Sequence, residues 1–92
     1  MRIIGNIEHP FYKISVFKSG EKTIIQIEDG QFEQLYKFND GEAVSDLTSA
    51  TTFVSQSFLQ NVDAIFNSMV KNKVHTSNQL VENLKIDFPE II

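Results

Sequence analysis

The sequence has no cysteine or tryptophan, and its 92 residues include only 4 glycines and 2 prolines. Without cysteine there can be no disulfide, no thiol nucleophile and no thiolate metal ligand, so packing alone must stabilise the fold. The chain also lacks glycine-rich phosphate loops and the G-x-S-x-G and H-E-x-x-H signatures. Neither His9 nor His75 has metal ligands at a helical or hairpin spacing. We therefore predict a non-enzymatic protein without catalytic residues, cofactor or metal.

Positive charge is scarce as well. Lysine and arginine number 8, against 12 aspartates and glutamates, and the formal net charge is −4. Proteins that bind nucleic acids or anionic membranes neutralise phosphates with basic side chains. The charge balance therefore predicts neither nucleic acid nor a membrane surface as a partner.

Long hydrophobic runs are missing too. The longest uncharged stretch, residues 47–62, is rich in Ser, Thr and Gln, whereas a membrane span needs about 20 mostly apolar residues. Only Ile3 and Ile4 lie between Arg2 and Gly5, and a secretory leader needs about 7 apolar residues or more. We expect neither feature and predict a cytoplasmic location.

The chain's length corresponds to one domain, residues 1–92, whose two halves differ in hydrophobic period. Residues 1–41 contain every glycine and alternate between apolar and polar side chains, which indicates strands; residues 49–85 follow a helical period. Strands followed by helices are typical of an α+β fold. We predict an antiparallel three- or four-stranded meander packed on one long helix, with a short C-terminal helix.

Two turn dipeptides, Ser19-Gly20 and Asp29-Gly30, separate the alternating segments and predict hairpins with two-residue loops, the second of type I′. The loop Gly20-Glu21 stays open as an alternative, because a slip of two residues preserves the faces of a strand. A fourth strand, Ile3–Ile7, would place Ile3, Gly5 and Ile7 on the same face as the rest. That face contains Tyr12, Ile14, Val16, Thr23, Ile25, Ile27, Phe32, Gln34, Tyr36 and Phe38.

Apolar residues recur at steps of three and four after residue 53, which predicts an amphipathic helix. Ser55 is the expected N-cap, with Ser49 as an earlier alternative start. A second helix is expected over about Ser77–Leu84, capped by Thr76, with residues 86–88 extended before Pro89. We predict that Phe58, Val62, Ile65, Phe66 and Met69 pack on Ile14, Val16, Ile25, Ile27 and Tyr36.

Several segments between about residues 3 and 70 share one pattern of core and turn residues: Gly5-Asn-Ile7, Tyr12-Lys-Ile-Ser-Val-Phe17, Glu33-Gln-Leu-Tyr36-Lys, Phe58, Ile65-Phe66 and Met69. This pattern resembles short uncharacterised proteins of Bacteroidetes-type bacteria. It implies a bacterial, cytoplasmic setting and carries no activity.

The other face of the sheet is the nearest indication of function. Phe11, Phe17, Ile24 and Leu35 point away from the predicted helix-covered face, with Ile24 opposite Leu35, and form a candidate interaction patch. Either the C-terminal tail, with Ile86, Phe88, Ile91 and Ile92, or a second copy of the chain could cover it, and a third possibility is that the patch stays partly exposed. We predict a self-associating protein-interaction module, a homodimer. The alternative is a small-ligand-binding protein with a pocket between sheet and helix.

Overall fold

The computed structural model describes residues 1–87 and confirms the α+β order, with four strands before the helices. The strands are β1 (Arg2–Ile7), β2 (Lys13–Ser19), β3 (Lys22–Asp29) and β4 (Phe32–Phe38). They form one antiparallel sheet in the order β1-β2-β3-β4, which is the predicted meander. The helices are α1 (Leu47–Phe53) and α2 (Gln56–Asp87).

In the β2–β3 hairpin and in the β3–β4 hairpin, the pairing of the strands differs by two residues from the preferred prediction. The pairing of Ser19 with Lys22 makes Gly20-Glu21 the first loop, which is the predicted alternative, and Gly30-Gln31 is the second loop. The two glycines have φ of 62° and 60°, and no described non-glycine residue has a positive φ. A positive φ at the first loop position alone is typical of a type II′ turn, so the predicted type I′ turn was wrong. A shift of two preserves the strand faces, and the predicted core face is confirmed.

A bulge in β1 corrects the prediction for Ile3. Gly5 pairs with Val16, which places it on the predicted face, but Ile3 pairs with Phe17, because the register shifts between Ile3 and Gly5. The extra residue, Ile4, turns Ile3 to the opposite face of the sheet.

The helix N-termini are set by local side-chain hydrogen bonds. The Ser49 amide donates to Oδ1 of Asp46 at 2.8 Å, and the Asp46 amide donates to Oγ of Ser49 at 3.1 Å. This capping box starts α1 just before the alternative start at Ser49. The Phe58 amide donates to Oγ of Ser55 at 3.2 Å, which confirms Ser55 as the cap of α2.

A separate C-terminal helix does not form within the described residues. α2 continues from Gln56 through Thr76 to Asp87, and the short helix is α1, which precedes it. No glycine or proline occurs between Gln56 and Asp87 to interrupt the backbone ladder, so the predicted cap at Thr76 was wrong. The expected extended conformation is also wrong for residues 86 and 87. Ile86, the first of the predicted tail residues, lies in α2. The other tail residues, Phe88, Ile91 and Ile92, lie outside the described part.

The core lies between one face of the sheet and the two helices. Its buried members are Ile14, Val16, Ile25, Ile27, Val44, Ala50, Val54, Val62 and Phe66, and Tyr36, Phe58 and Met69 pack at its margin. Of the predicted core residues, only Ile65 was wrong, because it is 43% exposed. Val62 and Phe66 lie one turn apart and face the sheet, whereas Ile65 points about 100° away from Phe66.

Buried Gln34 links the sheet directly to α2. Its Nε2 donates to the backbone oxygen of Val62 at 3.1 Å, and its Oε1 accepts from the Tyr36 hydroxyl at 2.6 Å. Because both amide atoms have partners, this polar side chain is tolerated on the core face and fixes α2 above β4.

Candidate interaction surfaces

The four residues of the predicted patch do not form one continuous surface. Phe17 and Ile24 pair directly on the second face of the sheet, but Ile24 lies opposite Lys37 rather than Leu35. Ile24 is only 7% exposed, Leu35 is 52% exposed, and Phe11 is 82% exposed in the loop before β2. Phe11 therefore lies apart from the sheet residues, and the patch is discontinuous.

The bulge adds a residue that the sequence analysis placed on the core face. Exposed Ile3 pairs with Phe17, so it joins the second face, and we call Ile3, Phe17, Ile24 and Leu35 the sheet patch. Gly5 was the available signal, since a glycine inside a strand often marks a bulge. Ser15, Gln26 and Lys37 lie between the patch residues, and small apolar surfaces of this kind are common on soluble proteins.

The C-terminal half of α2 forms a second apolar surface. Lys73 makes the last contacts with the sheet that the structure shows, a hydrogen bond to Gln31 and an approach to the Phe32 ring, 5.5 Å from its centroid. Every described side chain from Val70 to Leu84 is exposed. The molecule measures 63 × 28 × 19 Å, with a radius of gyration of 18.6 Å, against about 12 Å for a compact chain of this length. α2 therefore projects well beyond the sheet.

Four aliphatic residues and one serine follow a regular spacing along this projecting segment. We call Val70, Val74, Ser77, Val81 and Leu84 the distal stripe; they recur at steps of four and three, an average of 3.5 residues. Leu80 adjoins them, and the five aliphatic side chains are between 43% and 59% exposed. A spacing of 3.5 is typical of helices that pack along another helix. The sequence contained this signal, but dividing the segment into two helices concealed it.

His9 organises the loop between β1 and β2. Its Nδ1 accepts hydrogen bonds from the amides of Phe11 and Tyr12, each at 3.1 Å, and its ring stacks on Tyr12 at 4.8 Å. The Tyr12 hydroxyl donates to Asp63 of α2. Desolvation, with a further contribution from the Asp63 carboxylate, raises the pKa of Tyr12 to about 12. Since Nδ1 of His9 already has two donors, only Nε2 could contact a ligand.

The space between sheet and helix is well filled. Phe66 and Val62 are buried there, where the alternative hypothesis of a small-ligand-binding protein places its pocket.

Within residues 1–87, no helix combines the length and the apolar character needed to cross a bilayer.

Comparison with known proteins adds no further constraint. No family model matches this chain, and no curated protein or solved structure is significantly similar to it. The resemblance to Bacteroidetes-type proteins stays a prediction, and the two apolar surfaces are the basis for assigning a function.

Proposed function

We propose that this protein is a non-enzymatic interaction module that self-associates through the distal stripe of α2. The observation that carries the proposal is a projecting helical segment with exposed aliphatic side chains at four of five positions that are 3.5 residues apart on average, and with no partner within the described part of the chain. A helix in water is stabilised chiefly by packing of its apolar face, and nothing among residues 1–87 packs on the distal stripe.

The exposed apolar surface is enough for a weak dimer. Full burial of a valine or leucine side chain contributes about 1.5 to 3 kcal/mol, so each half-exposed side chain offers about half of that. Ten such side chains in two copies offer about 7 to 15 kcal/mol, against an association cost of about 4 to 15 kcal/mol. Because these two ranges largely overlap, the net free energy of association is small, and we expect a weak dimer with a dissociation constant in the micromolar range or above.

The test is the mass in solution as a function of concentration. Light scattering after size exclusion, with sedimentation equilibrium between 10 µM and 1 mM, should show a rise from one chain mass of 10.5 kDa towards twice that value. Val81→Lys should remain a monomer, because it places a charge in the distal stripe. Gln79→Lys adds the same charge on the opposite side of α2 and should dimerise like the wild type.

Circular dichroism at 222 nm should show unchanged helix content in both variants. A wild type that stays monomeric at 1 mM would contradict the proposal. So would a Leu35→Lys variant that becomes monomeric while Val81→Lys still dimerises, because that result would place the interface on the sheet patch.

A further inference from the structure

We infer that the partner is a second copy of this chain and that the two distal halves of α2 pair antiparallel, with the sheets at opposite ends of the dimer. This inference rests on the proposed self-association and specifies its geometry. It follows from the direction in which the distal stripe faces, from the place where the sheet ends, and from the distribution of charge along α2.

The distal stripe faces nearly the same side of α2 as the core does. With about 100° of rotation per residue, Leu84 lies at the same angle around the helix as Phe66, and Ser77 lies about 20° away. Val70, Val74 and Val81 lie between about 40° and 80° from Phe66. A helix packed on the distal stripe therefore lies less than a quarter turn from the direction of the sheet.

This direction disfavours a parallel pair. In a parallel dimer, the partner's α2 would continue alongside residues 56–69 at a spacing of about 8 to 10 Å. On that side of α2, Phe66 and Val62 already pack against the sheet. The partner's helix would therefore have to occupy space that the sheet fills.

An antiparallel pair avoids the conflict. Lys73 makes the last contacts of α2 with the sheet that the structure shows, so the described distal part of a partner helix can lie beside residues 70–87 of the first copy. The best-matched register sets Val74 level with Leu84 of the other copy, and Ser77 level with Val81 of the other copy. Each layer then combines a larger side chain with a smaller one, which favours interdigitation. The two-fold axis passes close to residue 79.

The distribution of charge along α2 also favours the antiparallel orientation. Lys71 and Lys73 stand at the base of the projecting segment, whereas residues 82–87 contain Glu82, Lys85 and Asp87 and have a net charge of −1. In this antiparallel register Lys71 lies level with Asp87 of the other copy, and Lys73 lies level with Lys85. A parallel pair would instead set every charged residue level with its own like-charged copy.

Spin labels on single cysteines test the orientation, because the native chain has no cysteine that would need to be removed. Gln60→Cys and Asn78→Cys provide a matched pair. Both native side chains are exposed, and 18 residues separate them, which is five full turns of α2, so the two labels point in the same direction. In an antiparallel dimer centred on residue 79, labels at position 60 lie about 57 Å apart along the axis and labels at position 78 about 3 Å.

Pulsed dipolar spectroscopy at a dimer-forming concentration should therefore give a distance near 60 Å for the Gln60→Cys label and below about 25 Å for the Asn78→Cys label. Similar short distances at both sites would establish a parallel pair and overturn the inference while leaving self-association intact. Long distances at both sites in a particle of two chain masses would place the interface elsewhere and also overturn it. A particle of one chain mass under the same conditions would overturn the proposed function itself.

Discussion

Replacement of Phe66 by alanine is the most direct test of how α2 packs on the sheet. The Phe66 side chain is 3% exposed, and its ring lies 5.4 Å from that of Tyr12, centroid to centroid. Truncation of a buried phenylalanine costs about 3 to 5 kcal/mol, because apolar burial is lost and a cavity remains. A chain of this length has a total stability of about 5 to 14 kcal/mol, so the variant should lose a large part of it.

Ile65→Ala is the matched control, since the residue is adjacent on the same helix and is 43% exposed. We expect it to change the free energy of unfolding by less than about 1 kcal/mol. The sequence pattern assigned both residues to the core, whereas the structure buries only Phe66. A difference in stability between the two variants therefore tests the structure and not only the pattern.

Urea unfolding followed by circular dichroism at 222 nm, repeated at several protein concentrations, measures both variants. A loss below about 1 kcal/mol for Phe66→Ala, or equal losses for the two variants, would refute this packing. If Phe66→Ala does not fold, Phe66→Leu should fold with a loss of about 1 kcal/mol, because it retains most of the buried volume.

Three further predictions concern the turns, the bulge and pH. Gly30 has a φ of 60°, and a Cβ at this position would meet no atom within 4 Å, so Gly30→Val should cost more than about 1 kcal/mol through backbone strain alone, measured as a shift of the urea midpoint. A Cβ on Gly5 would lie 2.5 Å from Cδ2 of Leu47, so Gly5→Ala should cost about 1 to 3 kcal/mol, and Leu47→Ala in the same chain should recover part of that loss. The folded-state pKa of Tyr12 is about 12, above its ordinary value of 10.0. The stability that the neutral Tyr12 hydroxyl contributes is therefore complete below about pH 10 and is lost as the pH rises through 12. In Tyr12→Phe, the urea midpoint should change less between pH 10 and pH 12 than it does in the wild type.

The sequence by itself determined which residues face the core in the strands. Alternation has a period of two, so a register that moved by two residues left every side chain of β2, β3 and β4 on the predicted face. Ser55 was equally predictable as the cap of α2, because capping depends on a hydroxyl and on amides within three residues of it. Local patterns of this kind need no knowledge of distant parts of the chain.

Tertiary structure decided the features from which the functional proposal is drawn. The bulge at Ile4 moved Ile3 to the second face, where it pairs with Phe17, and a single extra residue is invisible to a pattern of alternation. The helical period marked Ile65 and Phe66 alike as apolar, but only the position of the sheet buried one and exposed the other. The spacing of the distal stripe was present in the sequence, yet its exposure depends on where the sheet ends. A hydrophobic pattern shows that a helix face needs a partner, and only the assembled fold shows whether the same chain provides one.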